Sequence, residues 1–150
     1  MGMKFTLDEI MDEMWHLSSH LVWQMRLDQQ RAFEGLGLSP MQAFALMCIA
    51  GGMDQPSALA FIMDASPPGI SQLLAGLEER GLLRRELDPE NKRKVRILLT
   101  QEGEELLEKM RQRWKEVSRE RFGRLSAEEL ALLLASYRKL IEPRSEKGMP

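Results

Sequence analysis

The chain has 150 residues, 43% hydrophobic and 29% charged, with a formal net charge of −2 and one cysteine. That composition is ordinary for a single folded domain with extensions, and it argues against intrinsic disorder. A lone Cys48 excludes an intramolecular disulfide, and the longest apolar run, Leu130 to Ala135, is far too short to span a bilayer. The first residues carry no basic segment followed by an apolar run, so no secretory signal is expected and the protein reads as cytoplasmic.

Taken in chain order, Thr6 and Glu9 form a capping box that opens a helix. Apolar residues then recur with helical spacing through Leu7, Ile10, Met14, Leu17 and Leu21. Gly35 and Gly37 should stop this helix after about Phe33. Ser39, Pro40 and Gln42 start a second helix, which Gly51 and Gly52 end. A short third helix is expected from about Ser57 to Met63. Pro67 precedes another proline and so resists helical geometry, which predicts that the fourth helix begins at Pro68 and ends at Gly81.

From Leu82 to Thr100 the period changes to two. Leu83, Arg85 and Leu87 alternate with polar neighbours, as do Val95, Ile97 and Leu99, across a turn-rich stretch from Asp88 to Arg93. This predicts a β-hairpin with a basic tip. Two more amphipathic helices follow, the last opened by a Ser126–Glu129 capping box, and the tail from Pro143 is polar and expected to fray.

Charge is unevenly spread. Residues 1–79 carry 3 basic and 10 acidic residues, residues 80–96 carry 7 basic and 3 acidic, and residues 97–150 carry 11 and 10. A positive island in an acidic chain is either a footprint for phosphates or a solvated charged hairpin. The order of elements favours the first. Helix, short helix, tight turn, helix and hairpin make a winged helix-turn-helix, whose second helix fits the major groove of double-stranded DNA. The predicted fold class is therefore mainly α with a small β-hairpin wing. The expected organisation is an N-terminal dimerisation helix over 1–36, the DNA-binding domain over 37–100, and C-terminal dimerisation helices with a tail over 101–150. A homodimer follows because the small central domain cannot cover both terminal apolar faces. The alternative is a monomer with those helices folded back.

Three segments resemble one family. Leu77-Glu78-Glu79-Arg80-Gly81-Leu82-Leu83-Arg84-Arg85 is similar to the helix end and first wing strand of MarR regulators. Asp88-Pro89-Glu90-Asn91-Lys92-Arg93-Lys94-Val95 resembles their wing, and Leu98-Leu99-Thr100-Gln101-Glu102-Gly103 its exit into the next helix. The resemblance implies a homodimer held by terminal helices, a palindromic operator, a transcriptional regulator acting as a repressor and, often, release by a small apolar or phenolic effector. The sequence departs from the family in two places. The wing usually reads Asp-x-Arg, and here Asn91 replaces the Asp, which should anchor Arg93 less firmly. The expected reading helix, from Ser66 to Glu79, contains no Lys or Arg.

The expected DNA contacts are Ser66, Pro68, Gly69, Ser71 and Gln72 on the reading helix, and Asn91, Lys92, Arg93 and Lys94 in the wing. Ser57 and Arg85 are expected at the DNA backbone. Gln72 suits adenine, with which a glutamine amide can pair bidentately. Trp15, His16, His20 and Met47 are nominated for an effector pocket, since flat Trp and adaptable Met suit apolar ligands. The same residues also suit a core or dimer interface. His16 and His20 have metal-ligand spacing but no third partner, so no metal and no cofactor are expected. Cys48 lies in an apolar helix without a cationic neighbour and reads as a buried structural thiol. With no nucleophile–base pattern and no phosphate loop, an enzyme is not expected. The competing function is a winged helix that contacts protein rather than DNA, favoured by the acidic N-terminal half and the neutral reading helix.

Overall fold

Helix α1 runs Leu7–Phe33 and starts where the capping box places it: Thr6 accepts from the Glu9 backbone and Glu9 reaches back to Thr6. The computed structural model describes residues 6–141, in two compact units divided between Val117 and Ser118. The polar tail expected from Pro143 and the leading residues up to Phe5 lie outside the described residues. Gly35 and Gly37 both take positive φ, which glycine adopts without steric cost because it has no Cβ, and this turns the chain out of α1.

In the first unit α1 is followed by α2 (Pro40–Ala50), α3 (Pro56–Ile62), α4 (Pro67–Glu79), β1 (Leu83–Leu87), β2 (Val95–Leu99) and the larger part of α5 (Gln101–Phe122). Ser39 and Gln42 form the expected capping box on α2. Two starts differ from expectation by one residue. Helix α3 begins at Pro56, whose missing N–H costs nothing in a first turn. Helix α4 begins at Pro67 rather than Pro68, because Ser66 caps it and accepts from Gly69 N–H at 3.2 Å. Neither proline of the pair needs to donate there, so the cap outweighs the preference of Pro67 for extended geometry.

The core of this unit lies where α2, α3, α4 and the hairpin meet. Leu46, Leu59, Ile70, Leu74, Leu77, Leu83, Ile97 and Met110 are its largest fully buried side chains. Each is worth roughly 1.5–3 kcal/mol of transfer free energy, so the hairpin is welded to the helices by Leu83 and Ile97. The strands are antiparallel with Leu83 opposite Leu99, Arg85 opposite Ile97 and Leu87 opposite Val95. Arg85 therefore shares the inward face with Ile97, whereas Arg84 and Glu86 face away and pair with each other at 2.7 Å.

Helix α5 leaves the wing through a tight junction. The Thr100 hydroxyl donates to the Gly81 carbonyl and accepts from Gly103 N–H, while Thr100 N–H donates to the Leu82 carbonyl at 3.1 Å. Further along α5, Arg113 donates to the Glu34 carbonyl at the end of α1. In the second unit, α6 (Ala127–Ile141) opens with the expected Ser126–Glu129 capping box. None of its described residues is buried. Among the described residues no helix is long and apolar enough to cross a membrane.

Candidate nucleic-acid interface

The basic island divides into two populations. Four of its seven cations are engaged within the fold. Arg80 donates to the carbonyls of Leu36 and Gly37, closing the α1–α2 loop against the end of α4. Arg84 pairs with Glu86, and Arg85 pairs with Glu78 at 3.2 Å while donating to the Ser71 carbonyl at 3.3 Å. Arg96 Nε lies 2.6 Å from Asp54 Oδ2, and this pairing, reinforced by the charges of Asp88 and Glu90, raises the Arg96 pKa above the ordinary guanidinium value. The other three, Lys92, Arg93 and Lys94, are exposed at the hairpin tip with no side-chain partner among the described residues.

The tip itself is ordered by its backbone. Asp88 N–H donates to the Lys94 carbonyl at 2.9 Å and Lys94 N–H to the Asn91 carbonyl at 2.8 Å. The Asp88 carboxylate accepts from Glu90 N–H, and Asn91 Oδ1 accepts from Arg93 N–H at 3.1 Å. Asn91 thus fixes the backbone of Arg93 and leaves its guanidinium free. These are the local side-chain turns that Asp and Asn make two residues on. The result is a hydrogen-bonded tip whose three cations have no side-chain partner among the described residues.

Helix α4, to which Arg85 ties β1, leaves its Ser66, Pro68, Gly69, Ser71 and Gln72 positions exposed. The hydroxyl of Ser71 and the amide of Gln72 have no partner among the described residues, which leaves them available to donate and accept. Ser66 is partly committed as the cap of α4. Ser57 is exposed in the first turn of α3. Arg85 lies against α4 with its charge offset by Glu78, so it also ties β1 to the reading helix.

Of the residues nominated for an effector, Trp15, His16 and His20 are exposed along α1, with Trp15 at 73%. His20 meets Gln24 at 3.3 Å. Met47 is half-buried on α2 beside Gln29. Gln29 is 14 residues beyond Trp15, about 21 Å along a helix rising 1.5 Å per residue, so one protomer does not gather the four into a pocket. Among the described residues no group of three or more His, Cys, Asp or Glu could hold a metal ion. Cys48 is buried in the core, and burial pushes its thiol pKa up. A thiol kept protonated and covered is a poor nucleophile. Cys48→Ala is accordingly expected to bind DNA as the wild type does, and neither protein should lose affinity after brief peroxide treatment. Titration before and after oxidation checks this, and release of the wild type alone would make Cys48 a sensor.

Sequence reasoning missed Asp54 altogether. Its partners, Arg96 and Ile97, lie more than 40 positions away, and no local pattern signals such a pairing.

Comparison with known proteins agrees with this geometry. The sequence model described as MarR family matches residues 36–94, from the end of the α1 turn to the wing tip. An uncharacterized HTH-type transcriptional regulator of Mycobacterium leprae, ML2140, is 30% identical over 113 residues, covering 73% of this chain and 78% of the relative. The chain belongs to the MarR family. The transcriptional regulator HosA of Escherichia coli O111:H- is 42% identical over 72 residues, which is 48% of this chain and 53% of HosA. The chain thus spans about half the length of that curated relative. Among solved structures, a mutant of Escherichia coli MarR complexed with operator DNA superposes with a TM-score of 0.67 at 20% identity, over 91% of this chain and 99% of that one. At that identity the likeness concerns the winged-helix fold, which this MarR-family chain shares over nearly its whole length.

Proposed function

We propose that this protein is a sequence-specific, DNA-binding transcriptional regulator, a repressor that engages a palindromic operator as a homodimer. The observation that carries the reading is the hydrogen-bonded wing tip with three unpaired cations, on a hairpin that Arg85 ties to a helix whose Ser71 and Gln72 are free to bond. Relatives named as transcriptional regulators and a neighbour complexed with operator DNA support it. In this reading Gln72 and Ser71 meet base edges, Ser66, Pro68 and Gly69 bring the start of α4 close to the duplex, and Ser57 and Arg85 meet the backbone on either side. With no cation on α4, the electrostatic contribution falls to the wing, whose Arg93 suits a narrow minor groove. The effector, a small apolar or phenolic molecule, would need a second copy to complete its pocket around Trp15, His16, His20 and Met47.

Arg93→Ala tests the reading. A duplex enriched from a random pool by the wild type is titrated with both proteins across a salt series. Binding should weaken by roughly 1–3 kcal/mol if Arg93 reads the groove. If it meets only phosphate, the slope of log K against log salt should fall in magnitude by about 1 per wing. The melt should move little, since an exposed tip substitution usually changes stability by no more than about 0.5 kcal/mol. Unchanged affinity and slope in a folded variant would favour the protein-contact function instead.

A further inference from the structure

The wing is fastened on both strands. Arg85 ties β1 to α4, through Glu78 and the Ser71 carbonyl. Strand β2 is tied to the loop between α2 and α3, and there one residue makes both attachments. The Asp54 carbonyl accepts from Ile97 N–H at 2.7 Å, and the Asp54 carboxylate accepts from Arg96 Nε at 2.6 Å. A single backbone bond would let the hairpin pivot about it. A second bond one residue along, to the side chain of the same Asp54, removes that freedom. The Asp54 side chain is only 25% exposed, against 49–58% for the Arg84–Glu86 pair, so the attachment is less open to water than an ordinary surface pair. From Arg96 to Arg93 is three residues of chain, about 10 Å at most, so a tilt at this base is carried directly to the tip.

We propose that Asp54 is the positioning residue of the wing: its paired hold on Arg96 and Ile97 sets the tip at a fixed place beside α4, so that Arg93 and the reading helix engage one duplex together. The proposal rests on the DNA-binding reading above. Its expected sign is opposite to that of simple charge. Near a polyanion, removing an acidic residue and freeing Arg96 should tighten binding. Loss of positioning should weaken it and should make Arg93 matter less, although Asp54 and Arg93 have no side-chain bond.

The test is a double-mutant cycle read on the duplex enriched from a random pool by the wild type. Asp54→Asn keeps the side-chain size and the carbonyl that holds Ile97, so the hairpin should remain folded. Arg93→Ala is expected to cost about tenfold in affinity in the wild-type background and less than about threefold in Asp54→Asn. Asp54→Asn alone should weaken binding. The swap Asp54→Arg with Arg96→Asp should restore the full Arg93 penalty, a coupling that a purely stabilising role would leave unchanged. If a melt shows Asp54→Asn to be unfolded, Arg96→Met carries the same comparison. An equal Arg93 penalty in both backgrounds, or tighter binding by Asp54→Asn, overturns the positioning role and leaves the DNA reading standing. A pool that never enriches, or Arg93→Ala without effect on the wild type, overturns both.

Discussion

Gly103→Ala is expected to destabilise the protein by about 3 kcal/mol or more, although Ala is normally the better helix residue by roughly 0.5–1 kcal/mol. Gly103 lies in the first turn of α5, packed against the backbone where α4 has just ended. A Cβ placed there would overlap the Leu82 carbonyl oxygen and sit 3.0 Å from its carbon. Both groups in conflict are backbone, so no side chain can swing aside. The same carbonyl accepts from Thr100 N–H, and Gly103 N–H donates to the Thr100 hydroxyl, so relief would pull apart the bonds that start α5. At roughly 2–4 °C per kcal/mol for a chain of this size, the melting temperature should fall by about 10 °C. Gly81→Ala is a useful contrast. Its Cβ would meet nothing within 4 Å, and the cost there is only that of a positive φ of 69°. Thermal melts of the two variants decide the matter. A Gly103→Ala protein as stable as the wild type would show that the junction can open without loss.

Most of the fold was legible because its signals are local. Capping boxes at Thr6, Ser39 and Ser126 marked three helix starts and the switch to period two at Leu83 marked the hairpin, whereas α4 ends at Glu79, two residues before the expected Gly81. The miss at Pro67 came from weighing one local rule, the restriction before proline, without the Ser66 cap that opposes it. The candidate interface was legible only in part. Composition showed a cluster of seven cations but could not show that four of them are held within the fold, since Arg80, Arg85 and Arg96 find partners 7 to 44 residues away. Nor could it foresee that Asn91 would hold the backbone of Arg93 rather than its guanidinium. What tertiary packing decides, a period or a motif does not record.

Replacing Leu17 and Leu21 together by Glu is expected to abolish dimerisation and, with it, most of the affinity for a two-fold operator. The first four turns of α1 are exposed on every side, and only towards its C-terminal end, at Asp28 and Ala32, is the helix buried. Leu17 and Leu21 are four residues apart on one face, 61% and 41% exposed, in line with Ile10 and Met14. An apolar stripe this long calls for a partner, and a second copy would meet it with the same stripe. In an isologous interface each substitution appears twice, so Glu would face Glu across the axis in a desolvated setting. The protomer itself should tolerate the change, because both side chains point to water there and exposed sites usually shift stability by no more than about 0.5 kcal/mol. Sedimentation velocity at micromolar concentration should then show a dimer for the wild type and a folded monomer for the variant. On DNA, a dimer binds its second half-site at the effective concentration set by the first, an advantage of about 10²–10⁴ that a monomer forfeits. The variant should therefore lose affinity for a two-half-site duplex by about that factor, yet bind a single half-site as well as the wild type does per wing. A double-Glu variant that remains dimeric would place the interface elsewhere than this face of α1. A wild type that sediments as a monomer would remove the two-fold operator with it.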